Sequence, residues 1–164
     1  MELYTLTDRV IYRISGKDKA QLLQGLITNN VDLLASQPAI FSALLTPQGK
    51  FIADFFLIVY NDDWLFDIHT DSAKEVIKLL SMYRLRADVQ FSEETKLRVY
   101  GCMTTPPELS DIMFADPRHR AYGWRIVSQE AIESVQTAQA YHALRIQAGL
   151  PDGAYDAIKQ RSLL

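Results

Sequence analysis

Hydrophobic positions along the chain fall into two rhythms. Between residues 9 and 15, "RVIYRIS" alternates apolar and polar positions, the signature of a half-buried strand. The next stretch, "SGKDKAQLLQGLI", changes period: Ala20, Leu22, Leu23, Leu26 and Ile27 are spaced as on a helix, with Ser15 as the N-cap candidate. "TNNVDLL" breaks that helix, and Ile40 to Leu45 reads as a short strand. The turn "TPQGK" leads into a long strand, Lys50 to Tyr60, and "NDDW" turns the chain into a returning strand, Trp64 to His69. A second helix follows from Thr70 or Asp71, its apolar stripe formed by Val76, Ile77, Leu79, Leu80 and Tyr83, and Ala87 to Phe91 reads as a closing strand. The order is β-α-β-β-(β)-α-β, a split βαβ or ferredoxin-like arrangement with one extra strand.

After the polar joint "SEETK" at 92 to 96, a second unit begins. "LRVYGCM", "IMFAD" and "YGWRIVS" read as strands around the loop "TTPPELSD". Gln129 to Ala148 reads as a helix with Ile132, Val135, Ala138, Tyr141, Leu144 and Ile146 on one side, ended by Gly149 and Pro151. The fold class expected is therefore α+β, with subdomains at 1–92 and 93–164. The second has an incomplete set of elements and ends in "AIKQRSLL" without a cap or closing strand, as a fragment of a longer protein would.

One residue breaks the pattern of the long strand. In "FIADFFLIVY" both faces are apolar, so the strand is covered on both sides, yet Asp54 shares a face with Ile52, Phe56 and Ile58. A carboxylate there is a paired structural acid, a strand rim open to water, or a ligand-facing site, because an unpartnered one is costly or takes up a proton.

Composition narrows the function classes. A net charge of −3 gives no broad attraction to nucleic acid, so no direct nucleic-acid binding is expected. The single cysteine, Cys102, rules out an intrachain disulfide and reads as a small buried residue. No metal site is expected: His69, His119 and His142 lie in different elements without ligand spacing. The seven glycines form no phosphate loop. No run reaches the roughly 18 apolar residues of a membrane span, and the start of the chain has no signal-peptide pattern, so a cytoplasmic setting without membrane is expected. Arg84 and Arg86 fit a helix C-terminus, whereas Arg118, Arg120 and Arg125 among Tyr122 and Trp124 can hold a flat ligand by stacking.

Five stretches occur together and in order: "LLQGLITNNV" at 22–31, "LLTPQGKFIADFFLI" at 44–58, "YRLRADV" at 83–89, "DPRHRAYGWR" at 116–125 and "YHALRIQAGLPDG" at 141–153. In these the chain resembles the YgfZ-type folate-binding proteins, related to the T-protein (aminomethyltransferase) of the glycine cleavage system. The resemblance implies an N-terminal region of α+β units around a central tetrahydrofolate pocket, followed in the family by a β-rich domain. It implies an accessory role in iron–sulfur cluster assembly or repair, and through it tRNA modification, with iron–sulfur client proteins as partners. Asp54 falls on the acid that serves the folate in T-proteins, and Phe56 and Ile58 fall on pocket-wall positions. His69 stands where T-proteins have an Asn, and Arg125 where they have a pterin-gripping Glu. The expected cofactor-binding set is thus Asp54, Phe56, Ile58, His69 and Arg125, and the last two are departures from aminomethyl-transfer chemistry. The branch signature K-G-C-Y-x-G-Q-E belongs downstream of Gly153, beyond Leu164, and Cys102 does not match it. Two alternatives accompany this reading: a T-protein-like aminomethyltransferase, and a non-enzymatic interaction module whose missing half is a separate chain.

Overall fold

The computed structural model of the protein describes residues 2–133 and 135–157. Two five-stranded sheets stack face to face, and helices cover the outer face of the first. The first sheet contains β2 (Arg9–Ser15), β3 (Ala39–Leu45), β4 (Phe51–Tyr60), β5 (Asp63–His69) and β6 (Gln90–Glu93). Its order is β3-β4-β5-β2-β6, antiparallel throughout. The second contains β1 (Leu3–Thr5), β7 (Arg98–Cys102), β8 (Ile112–Ala115), β9 (Trp124–Ser128) and β10 (Val135–Gln136), in the order β10-β1-β7-β9-β8. Only the β1–β10 pair among these is parallel.

The alternation in β4 sends its side chains into two cores. Ala53, Phe55 and Leu57 pack with Phe66 and Ile68 of β5 under helices α1 (Lys19–Gln24) and α2 (Thr70–Arg84), whose Leu23, Val76 and Leu80 are buried there. Phe56 and Ile58 point the other way and meet Tyr4, Val99, Phe114 and Val127 of the second sheet. Tyr141 of α3 (Ala138–Gln147) closes that inter-sheet core. The strand expected to be covered on both sides is covered on both sides.

Several element boundaries differ from the expectation. β1 pairs with β7, so the first strand of the chain serves the second sheet and the two sheets do not divide the sequence at residue 92. The helix expected from Gln129 starts at Ala138, because Val135–Gln136 pair with Leu3–Tyr4 as a strand edge and the Thr137 side chain then caps the helix by accepting from Ala140 N–H; Ser134, within that expected helix, lies outside the described residues. Ser15 does not cap α1: the helix begins three residues after Gly16, and the carboxylate of the N-cap Asp18 accepts from Asp88 N–H instead. At α2 the cap is His69, not Thr70 or Asp71: His69 Nδ1 accepts from Asp71 N–H at 3.2 Å. Residues 87–89 form turn hydrogen bonds before β6, which delays that strand to Gln90. The "AIKQRSLL" tail beyond Ala157 lies outside the described residues. Among the described residues no helix is long and apolar enough to cross a membrane.

Candidate functional site

Asp54 lies near the start of β4, where the first sheet emerges from beneath the second. Its register partner Ala43 on β3, together with Phe41 and Phe51, forms one wall of an open cavity of about 610 Å³. Arg118, Tyr122 and the Leu150–Gly153 segment form the other wall. This volume falls in the range of small-molecule sites, roughly 300–1,000 Å³. The lining is mostly apolar; its charged members are Arg118 and three acids, Asp54, Asp152 and Asp156.

Asp54 is held from one side only. Its Oδ2 accepts from Gly153 N–H at 3.0 Å, the one hydrogen bond to this carboxylate recorded among the described residues. Gly153 has to be small: a Cβ there would overlap Asp54 Oδ2 and stand 2.8 Å from the Phe51 ring. Burial pushes the Asp54 carboxyl above the usual carboxylate range; Arg9 and Arg118 pull it down, and Asp152 adds to the upward push. A carboxylate so placed is an acceptor with spare capacity facing a largely apolar cavity, suited to a ligand's N–H groups.

Arg118 is fixed for contact with a flat group. It chelates Asp116 through Nε at 3.0 Å and Nη2 at 2.7 Å, and its guanidinium lies 3.7 Å from the centroid of the Tyr122 ring. The chelated plane stacks on one aromatic and borders Phe41 and Phe56 at 5.6 and 5.0 Å. Tyr122 in turn donates its hydroxyl to Pro151 O, which ties the two halves of this wall together.

The other expected site residues stand behind this wall. Phe56 and Ile58, each 1% exposed, belong to the inter-sheet core rather than the cavity lining. Arg125 is also buried: its Nε and Nη2 lie 2.9 and 2.8 Å from Asp67 Oδ2, and its guanidinium stacks 4.1 Å from the Phe56 centroid. Asp67, 0% exposed, also accepts from Arg9 Nε at 2.7 Å, while Arg9 Nη2 reaches the Asp67 carbonyl at 2.8 Å. Burial works to raise the Asp67 pKa, but the two guanidiniums outweigh it and hold the carboxyl below its ordinary value. The structure thus gathers Arg9, Arg118 and Arg125 around one ring, with Arg118 alone of the three reaching the cavity lining. His69 lies beside Asp54 across a recess of about 20 Å³ shared with Ser72 and Gly153.

Sequence reasoning missed Asp67, Arg9 and a third group, Asp8 with His142 and Tyr155. The signal that found Asp54, an acid inside an apolar strand, is present again at "WLFDIH" and marks Asp67. Asp8, His142 and Tyr155 come from a loop, a helix and the last turn, and no local spacing connects them. Among the described residues no group of His, Cys, Asp and Glu side chains is arranged to hold a metal ion, and Cys102, at the end of β7 in the second sheet, is 0% exposed.

Comparison with known proteins matches this architecture. No family model matches the chain. The mitochondrial iron–sulfur cluster assembly factor IBA57 homologue of Mycosarcoma maydis is 28% identical over 99% of this chain and 46% of its own length. The mouse mitochondrial factor IBA57 is 26% identical over 93% of this chain and 52% of its own length. The tRNA-modifying protein YgfZ of Buchnera aphidicola is 28% identical over 63% of the chain. The chain therefore spans about half the length of the curated relatives it matches over nearly its whole extent. Among solved structures, the glycine cleavage system aminomethyltransferase T of Bartonella henselae superposes with a TM-score of 0.55 at 13% identity, over 93% of this chain and 33% of that one. The cytoplasmic setting expected from the sequence is overturned by the relatives named mitochondrial. The hydropathy pattern on which that expectation rested reports how an α+β domain folds, and such a domain packs the same way in either compartment.

Proposed function

We propose that this chain, a relative of YgfZ and IBA57 with the N-terminal fold of an aminomethyltransferase T, acts in iron–sulfur cluster assembly as a folate-binding accessory factor. The observation that carries the ligand reading is Asp54: a carboxylate with spare acceptor capacity, raised pKa and a single backbone donor, on the wall of a largely apolar cavity. These residues fit a reduced pterin. Asp54 accepts from its N–H groups, Phe41 offers an apolar surface to its ring, and Arg118, backed by Tyr122, sets the charge opposite Asp54. A bound tetrahydrofolate would supply a carrier for one-carbon groups. The chain's own part is to exclude water, orient the ring and keep an acceptor beside it.

Arg125 favours this reading over aminomethyl transfer. Where the transferases have an acid on the pterin, this chain has a cation spent on Asp67 and stacked on Phe56, out of reach of the cavity lining. Arg125 then acts on the site from behind, through Phe56, and His69 stands across the small recess beside Asp54. Association with iron–sulfur client proteins, and through one of them an effect on tRNA modification, belongs to the same reading and is supported by kinship with IBA57 and YgfZ. Calorimetric titration of tetrahydrofolate into the protein tests the ligand. An assay for methylenetetrahydrofolate formation tests the transferase reading, which turnover would restore.

A further inference from the structure

Asp8 lies in the short link that carries the chain from β1 in the second sheet to β2 in the first. Its Oδ2 accepts from the Tyr155 hydroxyl at 2.6 Å and from His142 Nε2 at 2.7 Å, and His69 Nε2 stands 3.8 Å away. The proton positions follow from the neighbours. His142 Nδ1 accepts from Arg145 Nε at 2.9 Å, and His69 Nδ1 accepts from Asp71 N–H, so the Nε2 atom of each ring carries a proton toward this cluster. Asp8 Oδ1 is buried with no hydrogen-bond partner among the described residues, so the whole acceptor load of the carboxylate falls on Oδ2.

Tyr155 is gripped as well as hydrogen-bonded. Its ring centroid lies 4.3 Å from that of His142 and 5.3 Å from that of His69, the latter edge-on at 89°. Tyr155 belongs to α4 (Gly153–Asp156), a single turn closed by Asp156 N–H on Asp152 O and Ala157 N–H on Gly153 O. The first residue of that turn is Gly153, whose N–H meets Asp54. One residue, Ala154, thus separates the ring that Asp8 holds from the amide that Asp54 accepts.

We infer that Asp8 is a positioning residue for the Asp54 site: through Tyr155 it fixes the Gly153–Asp156 turn and so sets the backbone N–H on Asp54. The folate reading enters only in what Asp54 is positioned to bind; the linkage itself is a property of the free protein. The turn keeps a second hold, the Arg145 Nη1–Asp156 Oδ2 pair at 2.7 Å, so releasing Tyr155 loosens its Gly153 end and weakens the hold of that N–H on Asp54. The charges that face Asp54 from other elements, Arg9 on β2, Arg118 ahead of β9 and Asp152 in the preceding loop, stay in place.

The test is NMR on the complete chain and on Tyr155→Phe and Asp8→Asn, without ligand. Tyr155→Phe keeps the ring contacts and deletes only the hydroxyl, with its bonds to Asp8 and to His69 Nε2 (3.4 Å), and Asp8→Asn separates the first from the second. The expected result is Gly153 amide exchange faster by about 10-fold and a rise in the Asp54 titration midpoint, since a lost hydrogen bond to the charged form disfavours that form. Unchanged Gly153 exchange and an unchanged Asp54 midpoint in Tyr155→Phe would overturn the inference, whether or not Asp8→Asn folds. Tetrahydrofolate is then added to the same samples. Failure of the parent chain to bind it would remove the folate reading and leave the linkage standing if the two ligand-free signals have moved.

Discussion

Arg125 of β9 crosses the interface between the sheets to meet Asp67 of β5, with Nη2 2.8 Å from Oδ2. Asp67 is shared with Arg9 of its own sheet, so one fully buried carboxylate ties the two layers together. A buried ion pair is weak evidence of net stability, but removing one partner strands the other. Arg125→Ala is expected to destabilise the protein by about 3–5 kcal/mol. Arg125→Met combined with Asp67→Leu should cost less than the single change, although Arg9 then loses its carboxylate partner. Urea unfolding of both variants checks the order.

Asp54 is expected to cost stability at neutral pH. Its folded pKa is raised, so the ionised form present at neutral pH works against folding, and stability gains as pH falls toward the raised value. Asp54→Asn keeps an oxygen for Gly153 N–H and removes the charge. It should stabilise the fold at pH 7 by up to about 1 kcal/mol, and the gain should shrink as pH falls. Thermal unfolding from pH 7 to pH 4 measures it.

Asp67 and Asp8 behave in the opposite sense. Burial works to raise both, but Arg125 and Arg9 on Asp67, and His142 and Tyr155 on Asp8, hold each carboxyl below its ordinary value of 3.8. Their contribution is fully present above that unfolded value and is lost as pH falls through the lower folded values. The protein should therefore lose stability steeply below about pH 4, and Asp8→Asn should flatten that slope. Denaturation followed by circular dichroism between pH 5 and pH 2 checks it.

Gly153→Ala separates the site from the fold. The added methyl overlaps Asp54 Oδ2 and the edge of Phe51, at the rim of the first sheet rather than inside either core. The turn should be displaced outward at a cost of about 1–3 kcal/mol, with ligand affinity lowered along with it. Calorimetry with tetrahydrofolate and thermal unfolding on the same variant read the two effects.

The layers of this fold were legible because hydrophobic periodicity reports burial. β4 showed two apolar faces, and both are covered. What periodicity could not report is pairing between distant segments. β1 is three residues long and takes its place from β7, almost a hundred positions away. Val135 and Gln136 carried a helical rhythm yet pair with β1. At the site, Asp54 was visible because a charge in an apolar strand is anomalous by itself. The resemblance assigned Phe56, Ile58, His69 and Arg125 to the pocket, and they lie close behind it, in the core, at a helix cap and in a buried ion pair. The strand pattern fixed which face Phe56 and Ile58 share with Asp54, but how far the second sheet overlaps that face is a tertiary property. Asp8, His142 and Tyr155 gave no signal because their meeting depends on the docking of α3 and α4 against the link between the sheets.

The most direct measurement of the central claim is isothermal titration of tetrahydrofolate into the complete chain and its Asp54→Ala variant. Loss of a charge-assisted hydrogen bond, about 1.5–3 kcal/mol, corresponds to an affinity roughly 10- to 100-fold weaker in the variant. Saturable binding by the parent chain with that loss is the expected result. Equal affinity in the two proteins, or no binding by the parent, would contradict the account.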